Sequence, residues 1–122
     1  VVAGHSLGAA LATLAAPDLA LNTKLTPRAY LFASPRVGNS VFRDCYNRHV
    51  PNSYRITNPR DLVPKVPFLV YNHVDRHIEL PEHPRIKPNI GCQHYMETYL
   101  WLMANAAGEQ SFRLSERCEV PA

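Results

Sequence analysis

The sequence predicts an α/β fold, a mostly parallel sheet with crossover helices. Three observations point there. Short apolar runs rich in strand formers alternate with segments of helical spacing. The order along the chain is strand, helix, strand, helix, strand. Turn residues punctuate the joins. At 122 residues the chain has length for one domain and not for two.

The elements follow in order. Val1 to Ala3 reads as the end of a buried strand. From Leu7 to Ala16 the residues are small and apolar on every face, as in a helix buried against a sheet. Pro17 removes a backbone donor and predicts a kink or break there. Ala29 to Ala33 is an apolar run suited to a buried parallel strand. Pro35 and Gly38 mark a turn, and Asn39 can cap a helix in which Phe42, Cys45, Tyr46 and His49 recur. Ser53 to Thr57 alternates as a third strand, ended by Asn58-Pro59. Leu69 to Leu80 has strand formers around a charged Asp75-Arg76 centre, which predicts a hairpin. Glu82 to Asn89 reads as loop. Tyr95 to Ala106 reads as a helix with Tyr95, Tyr99, Leu102 and Met103 on one face. The tail after Gly108 carries no clear signal.

Composition narrows the function classes. Apolar residues make up 46% and charged residues 19%, as in an ordinary globular protein. The net charge is +3, and no run of Lys and Arg forms a nucleic-acid patch. No apolar stretch reaches the ~18 residues of a membrane span. The first residues lack the basic and apolar regions of a signal peptide. They look like a strand cut open, so the expectation is that the sequence is the C-terminal part of a larger domain. Cys45, Cys92 and Cys118 are an odd count, with free thiols at least as good a reading as a disulfide.

Gly4-His5-Ser6-Leu7-Gly8 has the G-x-S-x-G pattern between a strand and a helix. A sharp strand-to-helix turn strains the central residue and pushes its side chain outward. The glycines on either side let strand and helix approach. The pattern alone arises by chance in roughly 4% of chains this long, so the flanking strand and helix carry the assignment. Ser6 would then sit at the carboxyl end of a strand, with the Leu7 N–H free to face a developing oxyanion.

A serine nucleophile needs a base and an acid that orients it, in the chain order Ser, Asp or Glu, His on this kind of sheet. Asp18 and Asp44 fall on helices, whereas Asp61 lies in the turn leaving the third strand. Among the later histidines, His73 and His77 fit structural roles in the hairpin. His83 lies in a proline-flanked loop and reads as solvated. His94 precedes the last helix and is preferred as base, with His83 not excluded by position. His5, inside the turn, reads as structural. His73, His77 and Cys92 lack the tight spacing of a metal site.

The blocks VVAGHSLGAALATLAA, YLFASPRVGN, YRITNPRDLVPKVP, VYNHV and CQHY together resemble the class 3 lipases, in that family's order. The resemblance runs from Val1 to about Leu102. It implies an α/β-hydrolase fold, of which this chain holds the C-terminal part, and hydrolysis of carboxylic esters of lipids. Ser6 matches the family's nucleophile, Asp61 its triad acid and His94 its triad base. His73 falls at a position that is structural in the family. Pro17 departs from the family's unbroken helix. No metal or organic cofactor is implied, and the partner is a lipid or small ester. Phospholipase A1, aryl esterase and a catalytically inactive binding scaffold are the alternatives. The resemblance places a lid and a first oxyanion donor upstream, so the chain alone is expected to be a weak enzyme.

Overall fold

The computed structural model describes residues 1–122. Four strands, β1 (Val2–His5), β2 (Ala29–Phe32), β3 (Ser53–Thr57) and β4 (His77–Glu79), pair side by side in sequence order. All three pairings are parallel. The helices are α1 (Leu7–Asn22), α2 (Ser40–His49), α3 (Ile90–His94) and α4 (Met96–Ala106), with single 3-10 turns at Val63–Lys65 and Glu116–Cys118. No helix is long and apolar enough to cross a membrane.

The period-2 alternation of the strands sorts the core into two faces. Ala29 and Leu31 of β2 pack with Ala9, Ala12 and Ala16 of α1 and Tyr46 of α2. Tyr30 and Phe32, the alternate residues, lean on the other side, where Ile56 of β3 meets Tyr99, Trp101 and Leu102 of α4. The alanines of α1 leave no bulk between helix and sheet, so the helix lies close. Asn39 caps α2 by accepting the Phe42 N–H at 3.0 Å, as its position predicts.

Several elements depart from the sequence reading. Helix α1 does not break at Pro17 but runs through it to Asn22. Ala12, Thr13, Ala16 and Pro17 are all buried, and packing of that face holds the helical course despite the missing donor. The outer face of α1 is not buried, for Leu7, Leu11, Leu14 and Leu21 are exposed. Strand β1, read as the end of a buried strand, pairs only with β2 and leaves Ala3 exposed. The Leu69–Leu80 hairpin is absent. Asp75 is tied instead to α2, its N–H donating to Asn47 Oδ1 and its carboxylate accepting from Asn47 Nδ2. The chain then continues into β4 beside β3.

The tail has structure that its sequence did not signal. Val120 N–H donates to Arg85 O at 2.7 Å and Lys87 N–H to Cys118 O at 2.8 Å. Cys92 and Cys118 form a disulfide across 26 residues, and Cys45 is free. Closing a loop of that length removes unfolded-state entropy worth about 3 to 4 kcal/mol. The bridge fastens α3, which ends in His94, to the tail.

The glycines of the turn are not equivalent. A Cβ on Gly4 would lie 2.2 Å from the Gly8 carbonyl oxygen and 2.6 Å from the Ala9 nitrogen, whereas one on Gly8 would meet nothing within 4 Å. The expectation that both positions must be bare therefore holds for Gly4 and fails for Gly8 within this chain. Gly4→Ala should destabilise by about 1–3 kcal/mol or more, because rigid backbone must move. Gly8→Ala, inside a helix, should be neutral or gain up to about 1 kcal/mol. Urea unfolding of the two variants checks this, and equal losses in both would contradict it.

Candidate active site

Ser6 joins β1 to α1 with φ 58° and ψ −122°, in the left-handed region that non-glycine residues avoid. Three hydrogen bonds pin it there. Its N–H donates to Phe32 O at 2.9 Å, and its carbonyl accepts from Ala9 and Ala10 at 3.0 and 3.1 Å. The strained backbone turns the side chain out of the sheet. Leu7 is the first residue of α1, so its N–H has no carbonyl one helical turn back to bond.

The structure brings Ser6, Asp61 and His94 together from three separate segments. His94 Nε2 lies 2.8 Å from Ser6 Oγ. On the other side of the ring, Nδ1 donates to Asp61 Oδ2 at 2.8 Å. The carboxylate side chain of Asp61 has no exposed surface, and 18% of the His94 side chain is exposed. The ring thus bridges a buried carboxylate and a hydroxyl near the surface. An imidazole that donates through Nδ1 keeps Nε2 free to accept the serine proton.

A web of hydrogen bonds fixes this arrangement. Asp61 Oδ1 accepts from the Val63 N–H at 3.0 Å, and Oδ2 also accepts from Tyr99 Oη at 2.8 Å. The Asp61 N–H donates to Asn58 O. Tyr99 in turn accepts the Asn58 N–H at 3.0 Å. Asn58 Nδ2 reaches the carbonyl and the side-chain oxygen of Gln93, the residue before His94. His5 Nε2 donates to the His94 carbonyl at 2.7 Å, and the two rings lie 4.7 Å apart. Burial raises the Tyr99 phenol far above its usual range, and the Asp61 charge adds to this, so Tyr99 remains a donor.

The other histidines are committed elsewhere. His73 Nε2 donates to the Pro64 carbonyl, and His77 Nε2 pairs with Thr57 Oγ1 at 2.6 Å. His83 is half-buried rather than fully solvated. It packs edge-on against Trp101, with ring centres 4.7 Å apart. No group of three or more His, Cys, Asp or Glu side chains is gathered as a metal site.

Sequence reasoning missed Tyr99, Asn58 and Gln93. Tyr99 read as one more apolar face residue of the last helix, and Asn58 as a strand terminator. The available signal was their chemistry, since a buried phenol or amide needs a partner.

A sequence profile described as lipase (class 3) matches residues 1–71. The chain belongs to the class 3 lipase family. Ser6 and Asp61 fall inside the matched stretch, whereas His94 lies beyond it and is placed by contact geometry. The secreted mono- and diacylglycerol lipase A of Penicillium cyclopium is 45% identical over 89 residues, covering 73% of this chain and 28% of its own length. Phospholipase A1-II 4 of Oryza sativa subsp. japonica is 38% identical, covering 89% of this chain and 30% of its own length. Among solved structures, a mono- and diacylglycerol lipase from Aspergillus oryzae superposes with a TM-score of 0.62 at 38% identity. That match covers 67% of this chain and 30% of the other. The lipase from Rhizopus microsporus var. chinensis gives 0.61 at 36% identity, covering 67% and 31%. These likenesses make the fold that of the α/β-hydrolases. The chain spans less than a third of the length of these two curated relatives.

Tyr99→Phe removes one donor from Asp61 and leaves the Asn58 N–H without its acceptor. It should lower stability by about 1–3 kcal/mol, as expected when a buried polar group loses its partner. Thermal or chemical unfolding beside the parent protein measures this. An unchanged midpoint would show that the web is not closed as described.

Proposed function

We propose that this class 3 lipase chain carries the catalytic triad of an enzyme that hydrolyses carboxylic esters of lipids. The single observation that supports the reading most is the unbroken line from Asp61 Oδ2 through His94 to Ser6 Oγ, with 2.8 Å at each step.

In this mechanism Ser6 Oγ attacks the ester carbonyl carbon while His94 Nε2 takes its proton. Asp61 stays ionised and stabilises the imidazolium. The oxygen of the tetrahedral intermediate faces the Leu7 N–H at the positive end of α1. His94 returns the proton to the departing alcohol, leaving an acyl group on Ser6. A water, deprotonated by His94, then releases the fatty acid. The chemistry calls for no metal or organic cofactor.

Substrate choice within the lipids has two supported readings. The fungal relative is named a mono- and diacylglycerol lipase. The rice relative, which matches more of this chain, is named a phospholipase A1. We favour an acylglycerol, because the fungal relative shares the higher identity. Phosphatidylcholine and diacylglycerol offered side by side would separate the two.

In the intact protein, a fluorophosphonate probe should attach to Ser6, and His94→Ala should slow that labelling by about 10³-fold or more. Peptide mass spectrometry locates the adduct. Label on another serine, or undiminished labelling in a folded His94→Ala protein, would overturn the assignment.

A further inference from the structure

A polar cavity of about 330 Å³ opens beside β3 and the turn that carries Asp61. Its walls include Arg36, Arg55, Lys65, His73, His77 and Glu79. Apart from two prolines the lining is polar or charged, so the cavity does not suit an acyl chain.

Arg55 is the decisive residue. It lies on β3 with 8% of its surface exposed, and its only partnered side-chain nitrogen is Nε, which donates to Val74 O at 3.1 Å. No sealed side-chain nitrogen or oxygen in the protein lacks a hydrogen bond. The two terminal nitrogens of Arg55 bond no protein group and are therefore not sealed, and Arg55 is one of the residues that line the cavity. A guanidinium keeps its charge, and a buried charge is costly unless something pairs it.

The protein does little of that pairing. The Asp61 carboxylate is held by His94, Tyr99 and the Val63 N–H. Asp75 is bonded to Asn47. Glu79 is the remaining carboxylate of the lining, and it acts on His77. Against these stand the permanent cations Arg36, Arg55 and Lys65, brought from three different segments. Burial and the neighbouring Arg36 lower the Arg55 group to about 10, and Asp75 offsets only part of this. His73 is lowered to about 4 by burial and by Arg55. The site is crowded with like charge.

We propose that this cavity binds a phosphate-type oxyanion, gripped by the two free nitrogens of Arg55 with Arg36 and Lys65 closing over it. Planar guanidinium donors match the oxygen spacing of phosphate, and several cations from different directions suit a tetrahedral, multiply charged ligand. The same chemistry is offered by free phosphate and by the phosphodiester of a lipid head group. The inference does not depend on the triad reading, since it concerns other residues and its readout is binding.

The test is calorimetric titration of the intact protein at constant ionic strength. Inorganic phosphate and glycerophosphocholine are titrated in separate arms, with chloride as the control anion. Saturable heat with phosphate and none with chloride is expected. Arg55→Met should weaken binding about 10- to 100-fold, through loss of charged hydrogen bonds. Lys65→Gln, an exposed change that leaves the backbone bonds of that residue in place, should weaken it about threefold or more. It decides the matter if Arg55→Met does not fold. Binding of glycerophosphocholine at least as tight as phosphate identifies a lipid head group as the ligand, and phosphate binding alone identifies the free anion. Two results overturn the proposal. One is no saturable binding in either arm up to about 10 mM, weaker than about −2.7 kcal/mol. The other is phosphate affinity unchanged by Lys65→Gln together with competition against fluorophosphonate labelling of Ser6, which would put the anion at Ser6.

Discussion

The bond between His94 Nδ1 and the buried Asp61 carboxylate is the interaction around which the site is organised. A carboxylate with no exposed side-chain surface is tolerated only when donors surround it. Here they come from α4 through Tyr99, from the turn itself through the Val63 N–H, and from α3 through His94. Satisfying Asp61 therefore docks two helices against the end of β3. The same docking sets His94 Nε2 within 2.8 Å of a serine 88 residues away in sequence. His5, next to that serine, closes the circuit by holding the His94 carbonyl. Stability and positioning share one network.

The sheet supplies the frame for this network. Parallel pairing in sequence order puts the carboxyl ends of β1, β2 and β3 at one edge, where Ser6 and the Asn58–Asp61 turn emerge. The close pass of Gly4 against Gly8 and Ala9 fixes where α1 begins, and with it the direction of the Leu7 N–H. The disulfide between Cys92 and Cys118 secures α3 from its far side. Beside this frame lies the Arg55 cavity, where the balance is reversed and cations crowd together. One turn, residues 58–65, thus has a paired carboxylate and a lysine among the walls of two sites of opposite character.

What the sequence disclosed follows the range of the physics. The turn at Ser6 is local, and its glycines, strand and helix can be read within twenty residues. The Asn39 cap and the second and third strands are local too. Asp61 could be placed by the end of its strand and His94 preferred by the start of the last helix, yet position alone did not exclude His83. The contacts that separate them, Trp101 for one and Asp61 for the other, are long-range. The same holds for Tyr99, Asn58 and Gln93, whose partners lie 35 to 41 residues apart. Pro17 and the Asp75-Arg76 segment misled for a related reason. Local preference argued for a break and a hairpin, and packing of α1 and the Asn47 bonds overrode it.

The central claim is that Ser6, His94 and Asp61 act as one unit. Steady-state ester hydrolysis by the intact protein tests it most directly, with Ser6→Ala, His94→Ala and the combined Ser6→Ala, His94→Ala, Asp61→Ala variant measured side by side. Residues that serve a single proton relay lose their effect together, so the triple variant should be no slower than Ser6→Ala alone. Losses that multiply, with the triple variant slower by the product of the single effects, would contradict the account.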